Sequence, residues 1–301
     1  MENTKNTTNI NWYPGHMAKT KREITEDLKL IDVVIELLDA RIPISSQNPD
    51  FKNLIKDKKH IIVLNKSDLA DEKANQKWVE YFKSQGKEAI LTDANSGKGI
   101  ENLIKAIEKI MEEEQKESIK KGRIGRKIRA IILGIPNVGK SSLINRIAKK
   151  SSATVGNKPG VTRKKQWIRI NEKIELLDTP GVLWPKFVNQ ETALNLAYTG
   201  TIKEEILDKV EIAYHLTKFL LENYIDLICQ RYKLNKEEIE NIMQNKEKPE
   251  NENIFEIMLK IGKNRGCIIS GGNIDEEKTA RIILDEFKNG VIGKITIDTI
   301  K

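Results

Sequence analysis

Residues 31–39, IDVVIELLD, form an almost unbroken apolar run rich in β-branched residues, and the pattern predicts a buried strand. HIIVLN at 60–65, KEAILTD at 87–93 and RKIRAIILG at 126–134 predict three more strands, and QWIRI at 166–170 and KIELL at 173–177 a further pair. Helical segments fall between them. One follows the turn NWYPG and covers 16–29, and a second covers 71–85. A third starts near 99, with apolar residues at 100, 103, 104, 107, 110 and 111, and runs on to about 121. A fourth opens with GKSSLINRIAKK. Residues 41–49 carry two prolines and two serines and predict a loop. Strands alternating with helices predict an α/β unit, a mostly parallel sheet covered on both faces. Beyond about 190 the pattern changes: 203–232, 252–262 and 275–289 read as helices, with the polar stretch 245–253 as a loop. The expected organisation is an α/β domain over 1–190 and a smaller, mainly helical domain over 191–301.

Composition narrows this picture. The 301 residues are 39% hydrophobic and 32% charged, so the chain can build a core beneath a strongly charged surface. No run approaches the length of a membrane span, and the polar start MENTKNTTNI lacks an apolar signal core, so a cytoplasmic protein with no membrane partner is expected. Cys229 and Cys267 stand apart and outside any metal or redox spacing. The net charge of +8 is unevenly placed. Residues 1–200 hold 36 Lys or Arg against 25 Asp or Glu, net +11; residues 201–301 hold 16 against 19, net −3. Within 118–171 there are fifteen basic residues and no acidic one, which points to a polyanionic partner, RNA before DNA.

The chemistry is concentrated in short motifs. Gly134-Ile-Pro-Asn-Val-Gly-Lys-Ser141 fits the G-x-x-x-x-G-K-[ST] phosphate loop and lies between a strand and a helix. Backbone N–H groups from Gly134 through Asn137, Val138 and Gly139 to Ser142 would close around phosphate oxygens, aided by the helix N-terminus. Lys140 would reach the β- and γ-phosphates, and the Ser141 hydroxyl would bind Mg²⁺. Asp178-Thr-Pro-Gly181 follows an apolar strand. Asp178 suits a Mg²⁺ role there, and the Gly181 N–H suits the γ-phosphate. Between these motifs Thr162 is the candidate threonine that closes on Mg²⁺ and the γ-phosphate. Asn65-Lys66-Ser67-Asp68 matches the N-K-x-D guanine reader. A carboxylate at Asp68 accepts from guanine N1–H and the 2-amino group, which adenine does not offer; Asn65 can reach N7 and the Lys66 stem can cover the base. In the loop after the third strand, Asp93 and Ala94 stand where a backbone N–H would meet guanine O6.

The order of these elements is guanine reader, O6 loop, phosphate loop, then the two switch loops, which is a circular permutation of the usual GTPase order. With WYPGHMAK at 12–19, LDARIP at 38–43, NKSD, GIPNVGKS, PGVT at 159–162, DTPGVLWPKF at 178–187 and KNRGCIISGG at 263–272, the chain resembles the circularly permuted ribosome-biogenesis GTPases of the ribosome biogenesis GTPase A group. The resemblance implies a circularly permuted P-loop GTPase domain followed by a helical RNA-binding domain, with GTP or GDP and Mg²⁺ bound. It also implies a role in assembling the large ribosomal subunit through that particle's precursor and its rRNA; a monomer is expected. Val182 stands where other GTPases place a water-orienting Gln, so another group must act. The resemblance implies His16, and Asn137 is the residue type that potassium-stimulated GTPases use to hold K⁺. A guanine-nucleotide sensor with little turnover is the alternative. Residues 182–200, leading out of the second switch loop, are the expected coupling between nucleotide state and the helical domain.

Overall fold

A computed structural model describes residues 17–123, 125–155, 167–178, 189–202 and 208–300. Six strands, β1 (Val33–Asp39), β2 (Lys59–Asn65), β3 (Glu88–Leu91), β4 (Ile128–Gly134), β5 (Trp167–Arg169) and β6 (Ile174–Leu177), make one sheet in the order β3-β2-β1-β4-β6-β5. All neighbours are parallel except the edge pair β5 and β6. Every residue of β1 is buried, as a parallel strand covered on both faces requires. The covering helices are α1 (Met17–Leu28), α2 (Pro49–Leu54), α3 (Glu72–Ser84), α4 (Ile100–Ile110), α5 (Glu112–Lys120) and α6 (Lys140–Val155). One core cluster joins Ile24, Leu28 and Phe51 to Val34, Ile131 and Leu133. Another joins Trp78 and Phe82 of α3 to Leu38, Ile62 and Leu64.

Because β1, β2, β3, β4 and β6 run the same way, their C-terminal ends share one edge of the sheet. Asp39 is level with Asn65, and Leu37 with Gly134. The loop after each strand therefore opens on that edge, where ligands of open α/β sheets bind.

A second unit, α7 (Gln190–Tyr198), α8 (Lys209–Asn223), α9 (Ile225–Tyr232), α10 (Lys236–Gln244), α11 (Glu250–Asn264) and α12 (Glu276–Lys288), is all-helical. Its core holds Leu216, Leu220, Ile257, Ile261, Ile283 and Phe287. Asp208, Asn235 and Asp275 cap α8, α10 and α12 through backbone N–H groups of the first turn. Among the described residues this unit comprises 189–295, and 296–300 belong with the sheet. That corrects the expectation that everything after 191 is helical domain: the last described residues, T-I-D-T-I, belong with the sheet unit instead.

Other departures have local causes. The long helix expected from 99 breaks at Met111, whose ψ of 4° ends α4, because the following EEEQKES has no apolar stripe. The expected helix over 203–232 breaks at Tyr224 into α8 and α9, with 203–207 outside the described residues. The loop at 41–49 leads directly into α2, which Asn48 caps and Pro49 opens. α11 begins at Glu250, inside the stretch read as a polar loop. No helix of the described residues is long and apolar enough to cross a membrane.

β1 ends in a buried ion cluster. Asp39, 2% exposed, accepts from Arg41 Nε at 2.9 Å and Nη2 at 2.8 Å, and from Lys66 Nζ at 3.0 Å. Burial alone would raise the Asp39 carboxyl pKa, but the two cations and their hydrogen bonds hold it well below the usual carboxylate range. Its contribution is thus complete above the ordinary carboxylate range and is lost only on strong acidification. Asp39→Ala would leave the buried Arg41 guanidinium without its carboxylate. The expected loss in urea unfolding at neutral pH is roughly 3–5 kcal/mol; a loss below about 1 kcal/mol would show the cluster to be solvated.

Candidate nucleotide site

The phosphate loop starts where β4 ends and closes where α6 begins. Two of its residues need positive φ: Asn137 at 61° and Gly139 at 96°. At Gly139 a Cβ would stand 2.3 Å from Asn65 Nδ2, and at Gly134 it would stand 2.8 Å from Leu37 O. Both glycines are therefore required by close approach, one to the guanine-reading loop and one to β1. Val138 is buried; Ser141 and Ser142 are exposed in the first turn of α6. Lys140 is buried, and burial pulls its pKa down to about 8, with the nearby Asp178 carboxylate partly offsetting that pull. Asp178 itself is exposed at the end of β6.

The guanine-reading loop is bonded to the phosphate loop. Asn65 Nδ2 donates to Val138 O at 2.8 Å, and Lys66 Nζ donates to Asn137 O at 2.7 Å. Asn65 Oδ1 accepts from Thr92 Oγ1 and from the Ala94 N–H, each at 3.1 Å. Both oxygen lone pairs and one of the two amide hydrogens of Asn65 are thus taken by protein. Asn65 is 1% exposed and joins three loops, so at most one N–H remains for a base nitrogen. Lys66 adopts φ 59° to bring its ammonium back over Asp39 and the phosphate loop. The Ser67 N–H donates to Thr92 O at 3.1 Å, and Asn75 of α3 donates to Ser67 O at 2.9 Å. Asp68 is exposed beyond these fixed atoms and its carboxylate bonds to no described residue.

The third loop folds on itself. Asp93 Oδ1 accepts from the Asn95 N–H at 2.8 Å, and the Gly97 N–H donates to Asp93 O at 2.8 Å. Burial works to raise the Asp93 pKa, but hydrogen bonds from Ser96 and Asn95 leave it lowered. The Asp93 carboxylate therefore shapes the loop, and the Ala94 N–H, one of the two candidate O6 donors, is turned to Asn65. Arg146 of α6 donates to Ser96 O and locks this loop to the phosphate-loop helix.

Of the residues singled out in the sequence, Asn65, Lys66, Ser67, Asp68, Asp93, Ala94, Gly134, Asn137, Val138, Gly139, Lys140, Ser141, Ser142 and Asp178 lie at this edge of the sheet, on strand ends, loops and the first turn of α6. His16, Thr162 and Gly181 lie outside the described residues, as does most of 182–200 before α7. Sequence reading gave no role to Asp39 and Arg41, quoted only within LDARIP, nor to Thr92, Asn75 and Arg146. The available signal was an acid and an arginine two residues apart, at the end of an almost wholly apolar strand.

The chain matches the family model described as 50S ribosome-binding GTPase over residues 129–260, and that described as RsgA GTPase over residues 54–187. It is 46% identical over 290 residues to ribosome biogenesis GTPase A of Bacillus cereus, covering 96% of this chain and 94% of the relative. It is 34% identical to mitochondrial ribosome-associated GTPase 1 of Mus musculus, covering 95% and 89%. Among solved structures, GNP-bound YlqF from T. maritima aligns over 93% of this chain and 97% of that one, with a TM-score of 0.61 and 26% identity. A guanine-type loop bonded to a phosphate loop that follows it in sequence, in a fold similar to that structure's, is the arrangement of a permuted G domain, and the chain belongs to the circularly permuted GTPases of the ribosome biogenesis GTPase A family.

Proposed function

We propose that this GTPase is an assembly factor for the large ribosomal subunit that binds the precursor particle and its rRNA in a GTP-dependent manner. The observation that carries the reading is the direct bonding of Asn65 and Lys66 to the phosphate loop, which makes base recognition and phosphate binding one rigid site. The ribosomal part of the reading is supported by the names of the relatives: ribosome biogenesis GTPase A and mitochondrial ribosome-associated GTPase 1. Asp68 reads guanine N1–H and the 2-amino group, and Lys140 with the phosphate-loop N–H groups holds the β- and γ-phosphates.

The oxygen donors suit Mg²⁺. Ser141 and Asp178 offer a hydroxyl and a carboxylate, both exposed, and no cluster of three or more acidic, His or Cys ligands exists among the described residues. Such a sparse set fits an ion held largely by phosphate oxygens and water. When bound, Mg²⁺ neutralises charge on the β- and γ-phosphate oxygens. Thr162 and Gly181 complete the γ-phosphate contacts in this proposal, His16 positions the attacking water, and the exposed Asn137 side chain is the K⁺ ligand.

RNA contact falls to the basic stretch 118–171, but not to all of it. Arg126 pairs with Asp32, Lys127 with Glu175, and Arg129 lies over the Trp167 ring. Lys120, Arg123 and Lys149 are exposed and carry the proposal. In the helical unit the candidate contacts are Lys263 and Arg265 of KNRGC; Arg265 is paired with Glu286 at 2.7 Å, which leaves Lys263 the freer of this pair.

Val182 in place of the usual Gln favours a second reading, a sensor with little turnover. Multiple-turnover hydrolysis measured with and without large subunits separates the two. Stimulation by the particle is expected, and a flat rate supports the sensor. His16→Ala is expected to lower the stimulated rate by about a decade or more while GTP affinity holds; parallel loss of both would make His16 structural. Asp68→Asn is expected to shift preference from GTP toward xanthosine triphosphate, and unchanged GTP affinity would defeat the assignment.

Lys140 adds a pH signature. Burial pulls its pKa down to about 8, and an adjacent phosphate favours the ammonium. Nucleotide binding near pH 8 is therefore expected to take up protons, read as a calorimetric heat that varies with buffer ionisation enthalpy. Lys140→Arg should abolish the uptake; buffer-independent heats in the unaltered protein would contradict it.

A further inference from the structure

The last residues of the chain fasten themselves to the two segments that bound the guanine-reading loop. Thr296 and Ile297 are buried, at 5% and 7% exposure. On one side the Ile297 N–H donates to Arg41 O at 2.7 Å. Asp298 Oδ2 accepts from the N–H groups of Ile44 and Ser45, each at 2.7 Å, and Oδ1 accepts from Ser45 Oγ at 2.7 Å. Two successive backbone N–H groups and a hydroxyl on one carboxylate make a small anion nest, with bonds in the short, charge-assisted range. On the other side Thr296 Oγ1 accepts from the Asp71 N–H at 3.1 Å.

Both attachment points lead to the base-reading atoms. Arg41 is the residue whose guanidinium holds Asp39, and Asp39 holds Lys66. Asp71 caps α3 through the Ala74 N–H at 2.7 Å, and one turn later Asn75 holds Ser67 O. Asp68, the guanine-reading carboxylate, directly follows Lys66 and Ser67, each tied to an element that the tail grips. A loop fixed only by its own sheet would have no need of a charged clasp from more than 250 residues away in sequence.

The geometry points to residues 296–298 as a positioning strap for the guanine-reading loop, one that sets how long and how selectively a guanine nucleotide stays bound. The tail does not touch Asn65–Asp68 itself; it acts through Arg41 and α3. The inference rests on the reading of Asn65–Asp68 as the guanine reader.

The test is release of fluorescent GDP from the full-length chain, with affinities for GDP and for inosine diphosphate, which lacks the 2-amino group. Asp298→Ala is expected to speed GDP release by roughly tenfold, in line with loss of charged hydrogen bonds, and to shrink the GDP-to-inosine diphosphate preference. A general loosening of the protein would speed release of both nucleotides and keep their ratio. Ser45→Ala, which removes one bond and leaves the backbone nest, should give a smaller change in the same direction, and it decides the matter if Asp298→Ala does not fold. Release rates and ratios like those of the unaltered chain in the folded variants would overturn the strap. An unaltered chain that binds GDP no better than ADP would instead overturn the guanine reading itself.

Discussion

A carboxylate buried at the end of the central strand organises this site. Asp39 has little solvent to stabilise its charge, so it must be satisfied by Arg41 and Lys66. Satisfying it draws the Lys66 ammonium inward, and the same ammonium then reaches Asn137 O of the phosphate loop. One buried charge thus fixes the exit of β1, the guanine-reading loop and the phosphate loop together. Asn65 repeats the logic with neutral groups, joining Val138, Thr92 and Ala94. The loops of the site are joined because their polar atoms are bonded to one another.

That interlock explains why motif order in the chain is of little consequence to the site. The sheet order puts β1 between β2 and β4, so the loops after β2 and β4 sit one strand apart whichever is encoded first. What the permuted order changes is the connections. The helical unit occupies the chain between the second switch loop and residue 296, and the chain then returns to the sheet unit. Its two covalent connections meet the sheet unit at different places. One follows Asp178; the other ends on Arg41, Ser45 and Asp71.

The sheet was legible because its strands are short apolar runs bounded by turn residues, a signal that local composition carries well. The nucleotide loops were legible because close backbone approach demands glycine, and Gly134 and Gly139 announce it. The tail was not, since T-I-D-T-I carries no mark of the surface it meets; its partners at 41–45 and 71 are far away in sequence. Nor was the inward use of Asn65 and Ala94. Motif reading assigns such residues to a ligand, whereas a buried amide first satisfies the protein groups around it. The helix breaks at Met111 and Tyr224 were missed for the complementary reason. Helix-forming residues continue past both, and it is the loss or change of a buried face that ends each helix.

The most direct test of the Asp39 clamp is a double-mutant cycle on GDP affinity with Asp39→Asn, Lys66→Met and the pair. If Asp39 acts on the nucleotide by holding Lys66, the double variant should bind GDP no more weakly than the worse single variant. Losses that simply add would mean that Asp39 and Lys66 serve the nucleotide independently, and would contradict the account.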